Sequence, residues 1–160
     1  MTFEFDRQIA VSREGDSTWT ADLAAGWQVG GGVNGGYLLA VIGNALRHTF
    51  PDKPHPVAVS AYYLSASAPG PATIEVDVRR EGGSVATAAA DLRQGDDARI
   101  TALATYSDLD RLGDDVRTTA EEPDLPPVED CVPNSMAPPE VRAIAPLMDR
   151  FDMRFHPDHI

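Results

Sequence analysis

The chain has 160 residues, is 42% hydrophobic, and carries a formal net charge of −12 from 25 acidic and 13 basic residues. That length suits one ordinary domain with a real core and argues against wholesale disorder. The acidic balance makes nucleic acid and membrane surfaces poor partners, and it disfavours a polyanionic ligand unless local arginines or helix-end amides offset it.

In chain order, "STWTADL" (Ser17–Leu23) alternates like a strand and runs into the glycine-rich stretch "GGGVNGG" (residues 30–36). From Tyr37 to Phe50 the pattern is helical. Leu39, Ile42, Leu46 and Phe50 form one stripe and Leu38, Val41 and Ala45 a second, so the first two turns are apolar almost all round and read as buried. Pro51 and Pro54 forbid continuation.

Four strands follow. "PVAVSAYYLSAS" (Pro56–Ser67) is β-branched and aromatic, with Ser60 and Tyr62 on one face and Tyr63 on the other. "ATIEVDVRREG" (Ala72–Gly82) alternates strictly, and Gly82-Gly83 reads as a tight turn. "SVATAAADLRQ" (Ser84–Gln94) and "ARITALATYSD" (Ala98–Asp108) complete the set. The thin side chains at Ala86, Ala88, Ala89 and Ala90 suit the close approach of a helix. One strand, one long buried helix and four antiparallel strands give an α+β fold of the hotdog kind, a sheet wrapped around one central helix. Residues 1–107 form this domain. Residues 108–139 are acidic and proline-rich and read as a solvated linker, and 140–160 as a tail.

The single cysteine, Cys131, reads as a loop thiol in a reducing compartment. No leader-like opening and no membrane-length apolar run is present, which points to the cytoplasm. "HPDH" (residues 156–159) lacks a third ligand at usable spacing, so no metal is expected.

The stretches "GGVNGGYLLAVIGNAL" and "HPVAVSAYYLSASAPGPATIEVDVRREGGSVATAAADLRQGDDARITALATYSD" together resemble the amino-terminal half of the type II, medium-chain acyl-CoA thioesterases, which carry two hotdog domains in one chain. The resemblance covers about Trp19 to Asp108. It implies hydrolysis of acyl-CoA thioesters in fatty acid metabolism, with no cofactor, coenzyme A entering as the ester. In that family the catalytic aspartate, hydroxyl residue and glutamine lie in the second domain, so none is carried onto this chain. "FDMRF" (residues 151–155) looks like the opening strand of that second domain, and a truncated chain is expected. Pairing follows, either with a second hotdog domain or as a homodimer.

The glycines suggest chemistry. A helix amino terminus offers unpaired amides and a favourable dipole to the oxygen that gains charge during thioester attack. Gly35 and Gly36 would let a carbonyl approach those amides, with Asn34 as a positioning group. Tyr37, Ser60 and Tyr62 are candidates for the substrate-binding wall. Single-hotdog thioesterases commonly place an acidic general base two turns into this helix; the matching position here is Gly43, and no Asp or Glu occurs between Asp22 and Asp52. That leaves two alternatives open: a non-catalytic module that binds acyl-CoA or an acyl carrier, and a hotdog hydratase or dehydratase. The latter normally needs His or Asp at the helix entry, where this chain has Asn34.

Overall fold

The computed structural model describes residues 3–111 and 118–159; residues 112–117 of the expected linker, like residues 1, 2 and 160, lie outside them. A short helix, α1 (Glu4–Gln8), opens the chain, followed by β1 (Ser12–Arg13) and β2 (Thr18–Leu23). The short pair β3 (Gln28–Val29) and β4 (Gly32–Val33) folds the glycine-rich stretch back on itself. Helix α2 (Gly35–Thr49) comes next, then β5 (His55–Tyr63), β6 (Gly70–Glu81), β7 (Val85–Gln94) and β8 (Asp97–Ser107). The main sheet is antiparallel throughout, in the order β1-β2-β6-β7-β8-β5. This is the α+β hotdog arrangement, and the six expected elements fall within a few residues of their predicted ends.

Helix α2 begins where Asn34 accepts a hydrogen bond from the Tyr37 amide through Oδ1 (3.1 Å), satisfying one orphan donor of the first turn. Arg47 and His48 in the last turn suit the negative end of the helix dipole. Tyr37, Leu38, Val41, Ile42, Ala45 and Leu46 are its buried residues, and the helix packs on strands β2, β5, β6 and β7. Ala86, Ala88 and Ala90 of β7 lie beneath them, fully or almost fully buried, which is the close approach the alanines promised. The helix is less enclosed than its pattern suggests. Gly36 is exposed, and Leu39, Ala40 and Gly43 are only half-buried, so one side stays open.

Edge strand β5 is shorter than expected and stops at Tyr63, because the Leu64 and Ser65 amides both turn to the Arg99 carbonyl. The chain beyond residue 127 is more structured than its composition implies. Strand β9 (Val132–Pro133) pairs with β10 (Arg154–Phe155), enclosing helix α3 (Pro139–Ile144). These contacts bridge the boundary expected at residue 139. Asn134 ties the unit together by donating from Nδ2 to the Met148 and Phe151 carbonyls. The Gly30 amide donates to the Ile144 carbonyl (2.7 Å), and Arg150 stacks over Trp27, 5.6 Å from its ring centre, while pairing with Glu4 at 3.0 Å. Phe151 meets the same indole edge-on. The tail is thus fastened to the domain through Trp27.

Candidate active site

An apolar groove of about 320 Å³ runs along the open side of α2. Gly36, Leu39, Ala40 and Gly43 form its helix wall, and Val59, Ala102 and Ala104 its sheet wall. Leu46, Pro56 and Tyr106 stand at the far end. Strand β8 supplies Ala102 and Ala104 because alternate residues point to the helix side, and register carries that face to β5, where Ala104 opposes Val59 and Ala102 opposes Ala61. None of the lining residues is acidic.

At the groove's near end lies the amino terminus of α2. Three polar groups of Asn34 are engaged: its backbone amide donates to the Trp27 carbonyl (2.8 Å), its carbonyl accepts from Leu38 and its Oδ1 from Tyr37. Its carbonyl-type oxygen is therefore a helix cap. Both glycines lie close to side chains that the sequence did not place beside them. A β-carbon on Gly35 would come within 2.7 Å of the Tyr63 ring, and one on Gly36 within 3.1 Å of the Asn34 cap oxygen. The Tyr63 hydroxyl donates to the Gly35 carbonyl (2.9 Å), so Tyr63 sits over the first turn of the helix.

The three expected wall residues do not line this groove. Tyr37 is 2% exposed, stacks on Trp27 with ring centres 5.1 Å apart, donates its hydroxyl proton to the Gln8 carbonyl and accepts from the Ala24 amide. Burial raises its phenol above the ordinary value of 10, the Ala24 amide offsetting part of that and Asp22 adding to it. Ser60 and Tyr62 oppose Leu103 and Thr101 on the sheet face away from α2, Tyr62 being 66% exposed. Tyr63, on the other face of the same strand, is the residue that reaches the helix entry. The period-2 pattern had separated the two faces without showing which one turns inward.

Other chemistry-bearing groups lie elsewhere. His48 stacks on Trp19. His55 accepts the Leu109 amide at Nδ1 (3.1 Å), and the Asp108 carboxylate, 4.0 Å from the same nitrogen, is too far to hydrogen-bond it. Asp110 completes a solvent-facing trio with them, whose Nδ1 and Asp108 Oδ1 are already taken by backbone amides. A larger hollow of about 480 Å³ in the tail holds Arg142, Arg150 and Arg154, each paired with an acid: Asp149, Glu4 and Asp152. His156 accepts the Asp158 amide, and the side chain of His159 lies outside what is described. No helix among the described residues is long and apolar enough to cross a membrane.

The family profile of the acyl-CoA thioesterase N-terminal domain matches residues 23–107. An uncharacterised protein of Mycobacterium tuberculosis is 32% identical over 92 residues, 54% of this chain and 32% of the relative. A candidate thioesterase II from Thermobifida fusca superposes with a TM-score of 0.83 at 29% identity, over 96% of this chain and 56% of that one. A hot dog protein of unknown function from Alicyclobacillus acidocaldarius gives 0.76 at 24% identity, over 93% and 53%. The chain therefore spans about a third of the curated relatives it matches and about half of these solved structures.

Proposed function

The chain belongs to the acyl-CoA thioesterase N-terminal domain family, and from that premise we propose that it is one half of an enzyme that hydrolyses acyl-CoA thioesters, supplying the acyl groove and the oxyanion amides while a second hotdog unit supplies the base. The observation that carries this reading is the joining of two features: an apolar groove with no acid on its walls, and a helix amino terminus opening into it at Gly36. The hydrocarbon chain lies in the groove, which places the thioester carbonyl at the first turn. There the Gly35 and Gly36 amides, which have no acceptor within the helix, meet the oxygen that becomes negative on attack.

The base and the rest of the wall come from a second unit. Strand β5 ends the sheet, and its stretch "HPVAVSAYYL" bears no formal charge, with Val57, Val59 and Tyr63 all more than 40% exposed. Past the bulge between Pro56 and Ala58 it carries neither charge nor proline, the usual guards of an edge strand that stays solitary. Pairing there, with a second copy or with a second hotdog domain, continues the sheet and roofs the groove. The free thiol at Cys131 agrees with a reducing, cytoplasmic setting, where coenzyme A esters of fatty acid metabolism would be the substrate.

A second reading is favoured by Gly43, which stands where single-hotdog relatives place their acid: a binding module that holds acyl-CoA without cleaving it. Thiol release from acyl-CoA esters separates the two, measured on this chain and on a longer chain carrying a second unit. Hydrolysis by the longer chain alone supports the split site. Hydrolysis by an isolated monomer of this chain refutes it. Saturable acyl-CoA binding without turnover by either supports the binding module.

A further inference from the structure

Gly43 weakens the interior of α2 relative to alanine, and nothing in the fold demands it. Its backbone is ordinary helix, with no positive φ, and a β-carbon built there meets nothing nearer than the Tyr106 hydroxyl at 3.4 Å, an ordinary contact. Gly35 differs, since a β-carbon there strikes the Tyr63 ring at 2.7 Å. What a methyl at position 43 would take up is space in the groove.

Tyr106 crosses the groove from β8. Its ring is 3% exposed, tilted against Phe50 with centres 6.2 Å apart, and its hydroxyl donates to the Gly43 carbonyl at 3.1 Å. That bond fixes the ring across the far end of the groove, beside Leu46 and Pro56. It also satisfies the hydroxyl proton, so the floor makes no demand for a polar group on whatever reaches it. The walls before it are slim, with Ala40 facing Ala102 and Ala104.

We infer that Gly43 and Tyr106 set the depth of the groove and so the length of the acyl chain it accepts, an unsubstituted straight alkyl chain that ends against the Tyr106 ring. This rests on the acyl reading of the groove given above. Gly36 to Gly43 is about 10 Å along the helix, the span of roughly eight extended carbons at bond lengths of about 1.5 Å.

The test is calorimetric titration of saturated straight-chain acyl-CoA esters from C4 to C16 into the protein and into its Gly43→Ala and Tyr106→Ala variants. Wild-type affinity should climb by about fourfold for each added methylene and then stop. In Gly43→Ala the climb should stop about two carbons sooner, so that affinity at the wild-type optimum, relative to the C4 ester, falls about sixteenfold. In Tyr106→Ala the climb should extend by two carbons or more. Gly43→Ala also improves helix propensity, so it decides the matter if Tyr106→Ala does not fold. A Gly43→Ala protein that melts no lower than wild type yet shows the same length profile overturns the inference, as does a folded Tyr106→Ala whose climb breaks at the wild-type length. If neither this chain nor the longer chain carrying a second unit binds any ester, or if all lengths bind equally, the acyl reading itself falls and the inference with it.

Discussion

Replacing Asn34 separates what holds the helix from what the helix does. Its Oδ1 accepts the Tyr37 amide at 3.1 Å, while its own backbone groups are bound to Trp27 and Leu38 whatever the side chain. Asn34→Ala therefore removes one cap bond and little else, at a cost of about 1 kcal/mol. For a chain of this size that lowers Tm by about 2–4 °C. Asn34→Asp keeps the acceptor and places a negative charge at the positive end of the dipole, which stabilises by about 0.3–1 kcal/mol. Stability should rank Asp at or above Asn, and both above Ala. Turnover by the paired enzyme should rank differently. A fixed carboxylate about 4 Å from the nascent oxyanion opposes it by about 1 kcal/mol in bulk water and about 4 kcal/mol at a surface-like dielectric. Asp should then slow thiol release by between about fivefold and several hundredfold, and Ala by much less. Thermal unfolding by circular dichroism and a thiol-release assay on the same three proteins give the two rankings. An unchanged Tm in Asn34→Ala refutes the cap, and turnover that simply follows stability refutes the amide role of Gly35 and Gly36.

Three further outcomes follow from other parts of the fold. A methyl on Gly26 would overlap the Arg150 guanidinium, breaking its stacking on Trp27 and its pair with Glu4, together worth about 1–2 kcal/mol. Hydrogen exchange at the Gly30 amide, which donates to the Ile144 carbonyl, should accelerate about 5–30-fold in Gly26→Ala, and an unchanged rate would show that Arg150 does not fasten the tail. Burial raises the Tyr106 phenol above its ordinary value of 10, with Arg47 pulling partly the other way, and burial raises Tyr37 likewise. The unfolded chain thus releases these protons first, so their stabilisation is complete below pH 10 and declines as pH climbs through the higher folded values; Tm measured from pH 8 to 11 should fall less steeply in Tyr106→Phe than in wild type. Finally, Val59→Lys puts a charge on the groove side of the free edge β5, and sedimentation should show the paired species lost while the far-ultraviolet spectrum stays native.

The sheet and central helix were legible because their signals are local. Strict alternation in β6, the alanines of β7 and the apolar stripes of α2 each state one element's burial in its own residues. The site was less legible because its geometry depends on residues far apart in sequence. Gly35 lies under the Tyr63 ring, 28 positions on, and Gly36 close to a cap oxygen whose direction only the folded turn fixes. On β5 both faces carry apolar or aromatic groups, and a register shift between Pro56 and Ala58 further blurs which face turns inward. The sequence alone therefore does not favour Tyr63 over Ser60 and Tyr62 as the groove-side residue. The tail shows the same limit more sharply. Residues 108–139 are acidic and poor in large apolar side chains, yet Asn134 and Arg150 give the end of the chain its order through specific polar contacts, which composition does not register.

A split site has a physical rationale on the reading proposed here. An ionised carboxylate at position 43 would face Val59, Ala102, Ala104 and a buried tyrosine ring, and burying a charge among such groups is costly unless it finds hydrogen-bond partners. Its pKa would rise, weakening its hold on a general base's charge, and the hydrocarbon chain would lose the space it needs. Moving the acid to a facing unit keeps it within reach of the thioester while this helix wall stays apolar. The uncharged β5 edge fits the same division, because the strand that bounds the groove is also the seam where that facing unit joins. One side chain, Val59, then belongs to both, so chain-length preference and pairing are not independent properties of this domain: whatever loosens the seam also unroofs the groove.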